Sequence, residues 1–399
     1  MKSRLPNIAY KLVSFSLIDA VFANFIGTFF IFYIMQSAAK YTTAISVFSI
    51  FIWLFTGVFF ALTAKFMTPR NKMLVYRAAC LMGISFLSII ILFGSMALNY
   101  IWFLGALKGL YVAFVYMPYN TMVAQNIPAP LMARYQGIQG ISQSVAKIAF
   151  PILLGLIITG ASYESTAWLI IPLFAIGFIL SFTIRPPQNS AKQRPTKIIG
   201  FIKSIRKHSL VRRMLSVEFL RGLSHSGVMA TVITMYIKYL FGTPLNLGIL
   251  TSVFAAVTIA FQFLVGAFAK KSHFPRILKY CALLFLAASA TFLIWENQPT
   301  FIFYNFCFVT TVTLISMLTD INVFNVCNMK IIKNQKVEYL AVREIVLNLG
   351  RVTGFLGLLM IGLFGGDSWL RWFLAALCGI VIVLTYMSAK NTKKIKICY

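Results

Sequence analysis

The stretch from Leu340 to Phe364 reads LAVREIVLNLGRVTGFLGLLMIGLF, a long apolar run that nevertheless carries Arg343, Glu344 and Arg351. About 20 apolar residues are enough to cross a bilayer as an α-helix, so this run is long enough to span a membrane. An ionisable side chain inside a bilayer normally faces a cavity and has a partner. The stretch therefore predicts a membrane helix that requires neighbouring helices.

The composition of the whole chain extends this interpretation. The chain has 399 residues, of which 60% are hydrophobic and 11% are charged. Soluble domains are about a quarter charged, so the apolar excess is too large for one buried core and has to be solvated by lipid. The cysteines and histidines show no metal-ligand spacing, and no nucleophile or nucleotide motif appears. We therefore expect no metal site, no cofactor and no enzymatic activity.

Apolar runs of spanning length recur along the chain and predict an all-α polytopic protein with twelve transmembrane helices. The predicted spans are 12–35, 43–66, 74–94, 99–124, 137–160, 165–184, 215–238, 245–268, 277–295, 300–325, 340–364 and 369–389.

The charge of the chain is strongly positive, with 36 Lys and Arg residues against 8 Asp and Glu. Most of the cations fall in loops on one side of the predicted spans, and only Lys40, Lys238 and Arg371 fall in loops on the other. Cytoplasmic loops retain Lys and Arg, so this asymmetry indicates membrane topology rather than nucleic-acid binding. It predicts a multi-pass protein of a bacterial inner membrane, with both termini in the cytoplasm.

The spans divide into two halves. We predict an N-terminal six-helix bundle over 1–184, a basic cytoplasmic linker over 185–214 and a C-terminal six-helix bundle with a cytoplasmic tail over 215–399. The linker has no acidic residue, and we interpret it as a tether. The alternative is a short amphipathic helix that lies on anionic lipid.

A weak internal repeat relates the two halves. Lys65, Pro69 and Arg70 follow the second span with the spacing that Lys271, Pro275 and Arg276 show after the eighth. In the fifth and eleventh spans, YQGIQGISQSVAK (135–147) matches YLAVREIVLNLGR (339–351), since both run from a Tyr to a cation twelve residues later. Parallel six-helix repeats of this kind are characteristic of one large transporter superfamily.

With these spans and this repeat, the chain resembles the bacterial members of the major facilitator superfamily. The loop ALTAKFMTPRNK (61–72) is similar to the family's loop between helices 2 and 3, with Lys65 in the place of its usual Asp. Lys108 stands where the family has a buried Arg in helix 4. Pro151 and Gly155 are what remains of the antiporter motif in helix 5. The resemblance implies a secondary transporter of the drug-efflux type.

In this family helices 1, 4, 7 and 10 line the central cavity, and each of the corresponding spans carries a charge here. These candidates for proton coupling or substrate binding are Asp19, Lys108, Glu218, Arg221, His225 and Asp320. Glu218, Arg221 and His225 follow one another at i, i+3 and i+7 and share a helix face. That face suits either a proton-binding carboxylate tuned by a cation or a static ion pair. Asp19 suits a proton site, a site for a cationic substrate, or an ionic partner for Lys108.

The remaining charges suggest a gate. Glu344, Asn348 and Arg351 share one face of the eleventh span, and Arg343 points about 100° away, near the membrane surface, where headgroups or a loop are within reach. Arg351 lies deeper and needs Glu344 or a carboxylate of another helix. Its counterpart in the repeat is Lys147. We expect a set of gate or charge-pairing residues: Arg70, Lys147, Arg343, Glu344 and Arg351.

These features predict a monomeric transporter that works by alternating access, driven by a proton gradient. We expect export of a toxic amphipathic small molecule, or of a peptide or nucleotide antibiotic. The alternatives are uptake of a nutrient such as a sugar or small peptide, and a membrane sensor that does not transport. The expected partners are the substrate and the lipid bilayer.

Overall fold

The computed structural model describes residues 5–66, 71–127, 129–184, 198–205, 208–224, 227–268, 274–328, 335–365 and 368–397. These residues are largely helical, and the described segments contain no β-strand. Inside a bilayer no water is available to unpaired backbone groups, and a helix satisfies them within its own segment. The protein is an all-α polytopic membrane protein.

The first half of the chain contains seven described helices: α1 (Asn7–Asn24), α2 (Ile31–Ser37), α3 (Tyr41–Phe66), α4 (Lys72–Phe93), α5 (Ile101–Asn126), α6 (Ala129–Gly160) and α7 (Tyr163–Phe182). The second half contains a further eight within its described residues: α8 (Ile198–Ile205), α9 (Ser209–Leu223), α10 (Val228–Phe241), α11 (Pro244–Phe268), α12 (Phe274–Ile294), α13 (Gln298–Asn328), α14 (Lys336–Met360) and α15 (Ser368–Ile397). A π-helical turn, Phe25–Phe30, joins α1 to α2 in one continuous span.

Within the described residues, 10 stretches are long and apolar enough to cross a membrane. One of them, Lys72–Val123, includes both α4 and most of α5. The predicted seventh span is divided into α9 and α10, with Gly227 between them at a φ of 123°. Glycine tolerates this conformation, whereas other residues rarely adopt it. The ten stretches therefore contain eleven spans, and α9 together with α10 forms the twelfth. The described helices thus form twelve spans, in agreement with the hydropathy of the sequence.

The helices group into two compact units. The first unit contains α1 to α7 together with Gly242–Ser252, which includes the start of α11; the second contains the remaining helices. In the first unit, Gly105 and Gly109 bring the backbone of α5 against Phe48 and Ile52 of α3. Small residues four apart allow membrane helices to approach this closely.

A similar close approach in the second unit positions a group of charged side chains. Gly222 of α9 lies against the backbone of Leu347 in α14, and Gly350 of α14 lies against the backbone of Phe219 in α9. A Cβ atom at either glycine would collide with the facing carbonyl. The charged residues that flank these glycines on the two helices are therefore brought together.

Part of the predicted linker is helical. Residues 185–197 lie outside the described part of the chain, but the following residues form α8, and α9 already begins at Ser209. Phe201 and Ile205 of α8 are buried against apolar side chains of α9, α13 and α14. This part of the predicted linker therefore packs on the helices of the second unit.

Candidate functional site

Asp19 forms the centre of a polar site in the first unit. Its side chain lies on α1 and is only 7% exposed. The hydroxyl of Tyr111 donates a hydrogen bond to its Oδ1 at 3.1 Å, and the hydroxyl of Tyr116 donates to its Oδ2 at 2.7 Å. Both tyrosines belong to α5. Each carboxylate oxygen therefore has a neutral donor, as a buried polar group requires.

Lys108 lies one turn before Tyr111 on α5 and is 6% exposed. Its ammonium group is 4.0 Å from the ring centroid of Phe22 and 4.5 Å from that of Tyr111. These cation–π contacts stabilise the charge in a desolvated setting. Asp19 is close enough to interact electrostatically with Lys108. The described hydrogen bonds of Asp19 come from hydroxyl groups, with Lys108 as a charged neighbour.

Further polar side chains continue from Asp19 along α1 towards α6. Gln143 donates a hydrogen bond from Nε2 to the hydroxyl of Ser16 at 2.7 Å, and Gln139 donates to the same hydroxyl at 3.4 Å. The hydroxyls of Tyr119 and Tyr135 are 2.7 Å apart. This extension was not predicted from the sequence. Its signal was the pair of glutamines four residues apart in an otherwise apolar span, which places both on one helix face.

A second charged cluster lies in the second unit. Glu218 of α9 is 0% exposed, and Arg343 of α14 donates from Nε to its Oε1 at 2.9 Å. The guanidinium group of Arg343 also contacts Oε1 of Glu344 at 3.2 Å. Arg221 is the more distant partner of Glu218, at 3.8 Å from its Oε2. Glu218 thus has two guanidinium groups as ionic partners, one on its own helix and one on α14.

This cluster adds a contact between two helices to the predicted charge pairs. The guanidinium of Arg343 binds Glu218 on the neighbouring helix. The predicted pair of Glu218 and Arg221 exists, but it is the weaker of the two contacts. Farther along α14, Arg351 donates from a terminal guanidinium nitrogen to Oδ1 of Asn348 at 2.8 Å. Residues that the sequence assigned separately to a substrate site and a gate therefore form one network.

The other predicted residues are less fully described. Lys147 lies on α6 with an exposed side chain. Asp320 lies on α13, but its side chain is outside the described part of the structure, and His225 and Arg70 lie outside the described residues altogether. The described residues contain no group of three or more His, Cys, Asp or Glu that could hold a metal ion.

Comparison with known proteins identifies the family of this helical chain. The sequence model of the Major Facilitator Superfamily matches residues 12–354. The chain belongs to the major facilitator superfamily. It is a membrane transporter and not an enzyme.

Known members of the superfamily fold in the same way. The chain is similar to the nucleoside transporter NupG, with a TM-score of 0.68 and 11% identity over 97% of this chain and 99% of that one. Its TM-score is 0.71 with the POT family transporter PepTSo, at 9% identity over 99% of both chains. Uncharacterized protein YqgE of Bacillus subtilis (strain 168) is 23% identical over 92% of this chain and 85% of its own.

Proposed function

We propose that this superfamily member is a proton-coupled secondary transporter in which Asp19 binds and releases the proton. The observation that carries the proposal is the contrast between the two buried carboxylates. Glu218 contacts two guanidinium groups. Asp19 accepts hydrogen bonds from two neutral tyrosine hydroxyls, and the ammonium group of Lys108 is its charged neighbour. Of the two, Asp19 is the carboxylate better suited to gain and lose a proton during transport.

Coupling follows if the two access states solvate Asp19 differently. A state in which water reaches the carboxylate favours its ionised form, and a state that buries it more deeply favours the protonated form. Proton binding therefore shifts the population between the states by the difference in its affinity for them. The proton gradient supplies the energy, and the proposal needs no other cofactor.

We further propose that the direction of transport is export of an amphipathic small molecule, or of a peptide or nucleotide antibiotic. Support comes from the aromatic side chains around Asp19. Tyr111 and Tyr116 bind it directly, and the ring of Phe22 lies 4.8 Å from that of Tyr111. Aromatic faces next to a carboxylate suit compounds that combine apolar surface with a positive charge. We place the protein in a bacterial inner membrane as a monomer, with both termini in the cytoplasm.

The proposal is tested by growth-inhibition measurements with a panel of amphipathic antibiotics on cells with and without the protein. We expect the protein to protect against at least one compound. Asp19→Asn should abolish the protection at an unchanged amount of protein in the membrane. Glu338→Gln, which removes a partly exposed carboxylate at the start of α14, is the control and should protect fully.

The other outcomes separate the alternatives. Full protection by Asp19→Asn would contradict the role of Asp19. A growth defect on a single nutrient with unchanged tolerance of every compound would indicate uptake. An absence of substrate flux in proteoliposomes, with any imposed gradient, would indicate a sensor.

A further inference from the structure

A groove between α12 and α15 combines an apolar wall with two cations. The groove is a cavity of about 430 Å³ within the second unit. Its side chains come from both helices: Leu278, Lys279, Ala282, Leu283, Leu286, Ile382, Thr385, Tyr386, Ala389 and Lys390. Apart from the two lysines, Thr385 and the hydroxyl of Tyr386, these side chains are apolar. The groove has no part in the charge clusters described above.

The polarity of the groove changes along its length. On α12, Leu286 lies seven residues beyond Lys279, which is about 10 Å along the helix axis. On α15, Ile382 lies eight residues before Lys390, which is about 12 Å. Since all four residues line one cavity, the lysines lie at one end of the groove and the aliphatic side chains extend away from them. A ligand that matches this gradient has a charged head and an apolar chain.

The charge of the head follows from the two helices that form the groove. Neither α12 nor α15 contains an acidic residue, so no carboxylate from the walls neutralises Lys279 or Lys390. The side chains of both lysines are exposed, and the ammonium group of Lys390 lies 5.7 Å from the ring centroid of Tyr386. Two such cations attract a headgroup with a net negative charge, whereas the positive charge of a choline group offsets that attraction.

We propose that this groove is a binding site for one anionic phospholipid. The headgroup phosphate binds Lys279 and Lys390, and an acyl chain lies along Leu283, Leu286 and Ile382. The lysines belong to the basic side of the molecule, so the lipid comes from the leaflet that this side faces. In the predicted orientation this is the cytoplasmic leaflet, whose anionic lipids attract basic segments of membrane proteins.

Native mass spectrometry of the purified full-length protein, titrated with phosphatidylglycerol or phosphatidylcholine, tests the site. We expect one phosphatidylglycerol to bind at least about tenfold more tightly than phosphatidylcholine, since each lysine contributes about fivefold towards a net anionic headgroup and the choline offsets this gain in phosphatidylcholine. The double variant K279Q/K390Q should lose this preference. R276Q is the matched control, because Arg276 is an exposed cation on the same end of α12 but does not line the groove.

A second pair of variants tests the apolar part of the site. Ala282→Phe fills the groove and should lower the occupancy of both lipids, whereas Leu284→Phe adds the same kind of ring on an exposed side chain outside it. Equal affinity for the two lipids would overturn the proposal. So would an equal loss of preference in R276Q, unchanged binding by Ala282→Phe, or a second copy of the protein bound in place of lipid.

Discussion

At the scale of single residues, the buried ion pair between Glu218 and Arg343 links two helices of the second unit. Its two partners lie 125 positions apart in the chain, on α9 and α14. Spacing within one helix predicted the contact of Glu218 with Arg221, because residues three apart share a face. No spacing rule predicts a partner on another helix. This is why the weaker of the two contacts was predictable from the sequence and the stronger one was not.

Removal of Arg343 should destabilise the protein strongly. In Arg343→Gln, the carboxylate of Glu218 stays buried and retains only the more distant Arg221. Loss of one partner of a buried ion pair costs about 3–5 kcal/mol. We therefore expect a lower midpoint of thermal unfolding in detergent, and recovery of much of the loss when Glu218→Gln is added.

The exposed ion pair between Arg371 and Glu296 is the matched control. Its distance is 3.7 Å, and its side chains are 43% and 29% exposed. Such surface pairs are worth about 0–1 kcal/mol, so Arg371→Gln should change the midpoint little. The account of Glu218 fails if Arg343→Gln is as stable as Arg371→Gln, or if the double variant is no more stable than the single one.

At the scale of helices, the apolar runs predicted the twelve spans with small differences at their ends. The first predicted span, 12–35, corresponds to α1 and α2 over residues 7–37, and the last, 369–389, lies within α15. Length is predictable because the bilayer itself requires it. The break between α9 and α10 was not predicted, since it depends on the backbone conformation at Gly227, which hydropathy does not report. The close packing of Gly222 and Gly350 also depends on a helix pairing that composition does not specify.

Helix α8 tests whether the linker is a structural part of the second unit. Phe201 is 2% exposed in the core that α8 shares with α9, α13 and α14. Phe201→Ala should cost about 3–5 kcal/mol of unfolding free energy, as other buried phenylalanines do. Its neighbour Ile202 is 44% exposed, so Ile202→Ala should be close to neutral. Thermal unfolding of both variants in detergent measures the difference, and equal stability would return the segment to the role of a loose tether.

At the scale of the whole molecule, the fold does not determine the substrate. The solved structures with the same architecture include a D-xylose-proton symporter and a nucleoside transporter, each 11% identical to this chain. One fold therefore accommodates unlike substrates, and its recognition does not identify the substrate. The sequence alone was enough to predict the family, and it singled out Asp19 and Lys108 as candidates. It did not reach the hydroxyl partners of Asp19, because those depend on how α1 and α5 face each other.

The distribution of charge makes a prediction for the molecule as a whole. Loops that hold clusters of Lys and Arg are retained in the cytoplasm, so the loops with few cations should face outwards. Four exposed positions report on this: Ala39 and Ala161 on the predicted outer side, and Lys203 and Arg276 on the inner side. In a background without the native cysteines, Ala39→Cys and Ala161→Cys should react with a membrane-impermeant maleimide in intact cells. Lys203→Cys and Arg276→Cys should react only after the membrane is permeabilised. The reverse pattern would mean that the topology is inverted. A mixed pattern within either pair would contradict the even number of spans predicted between the two positions of that pair.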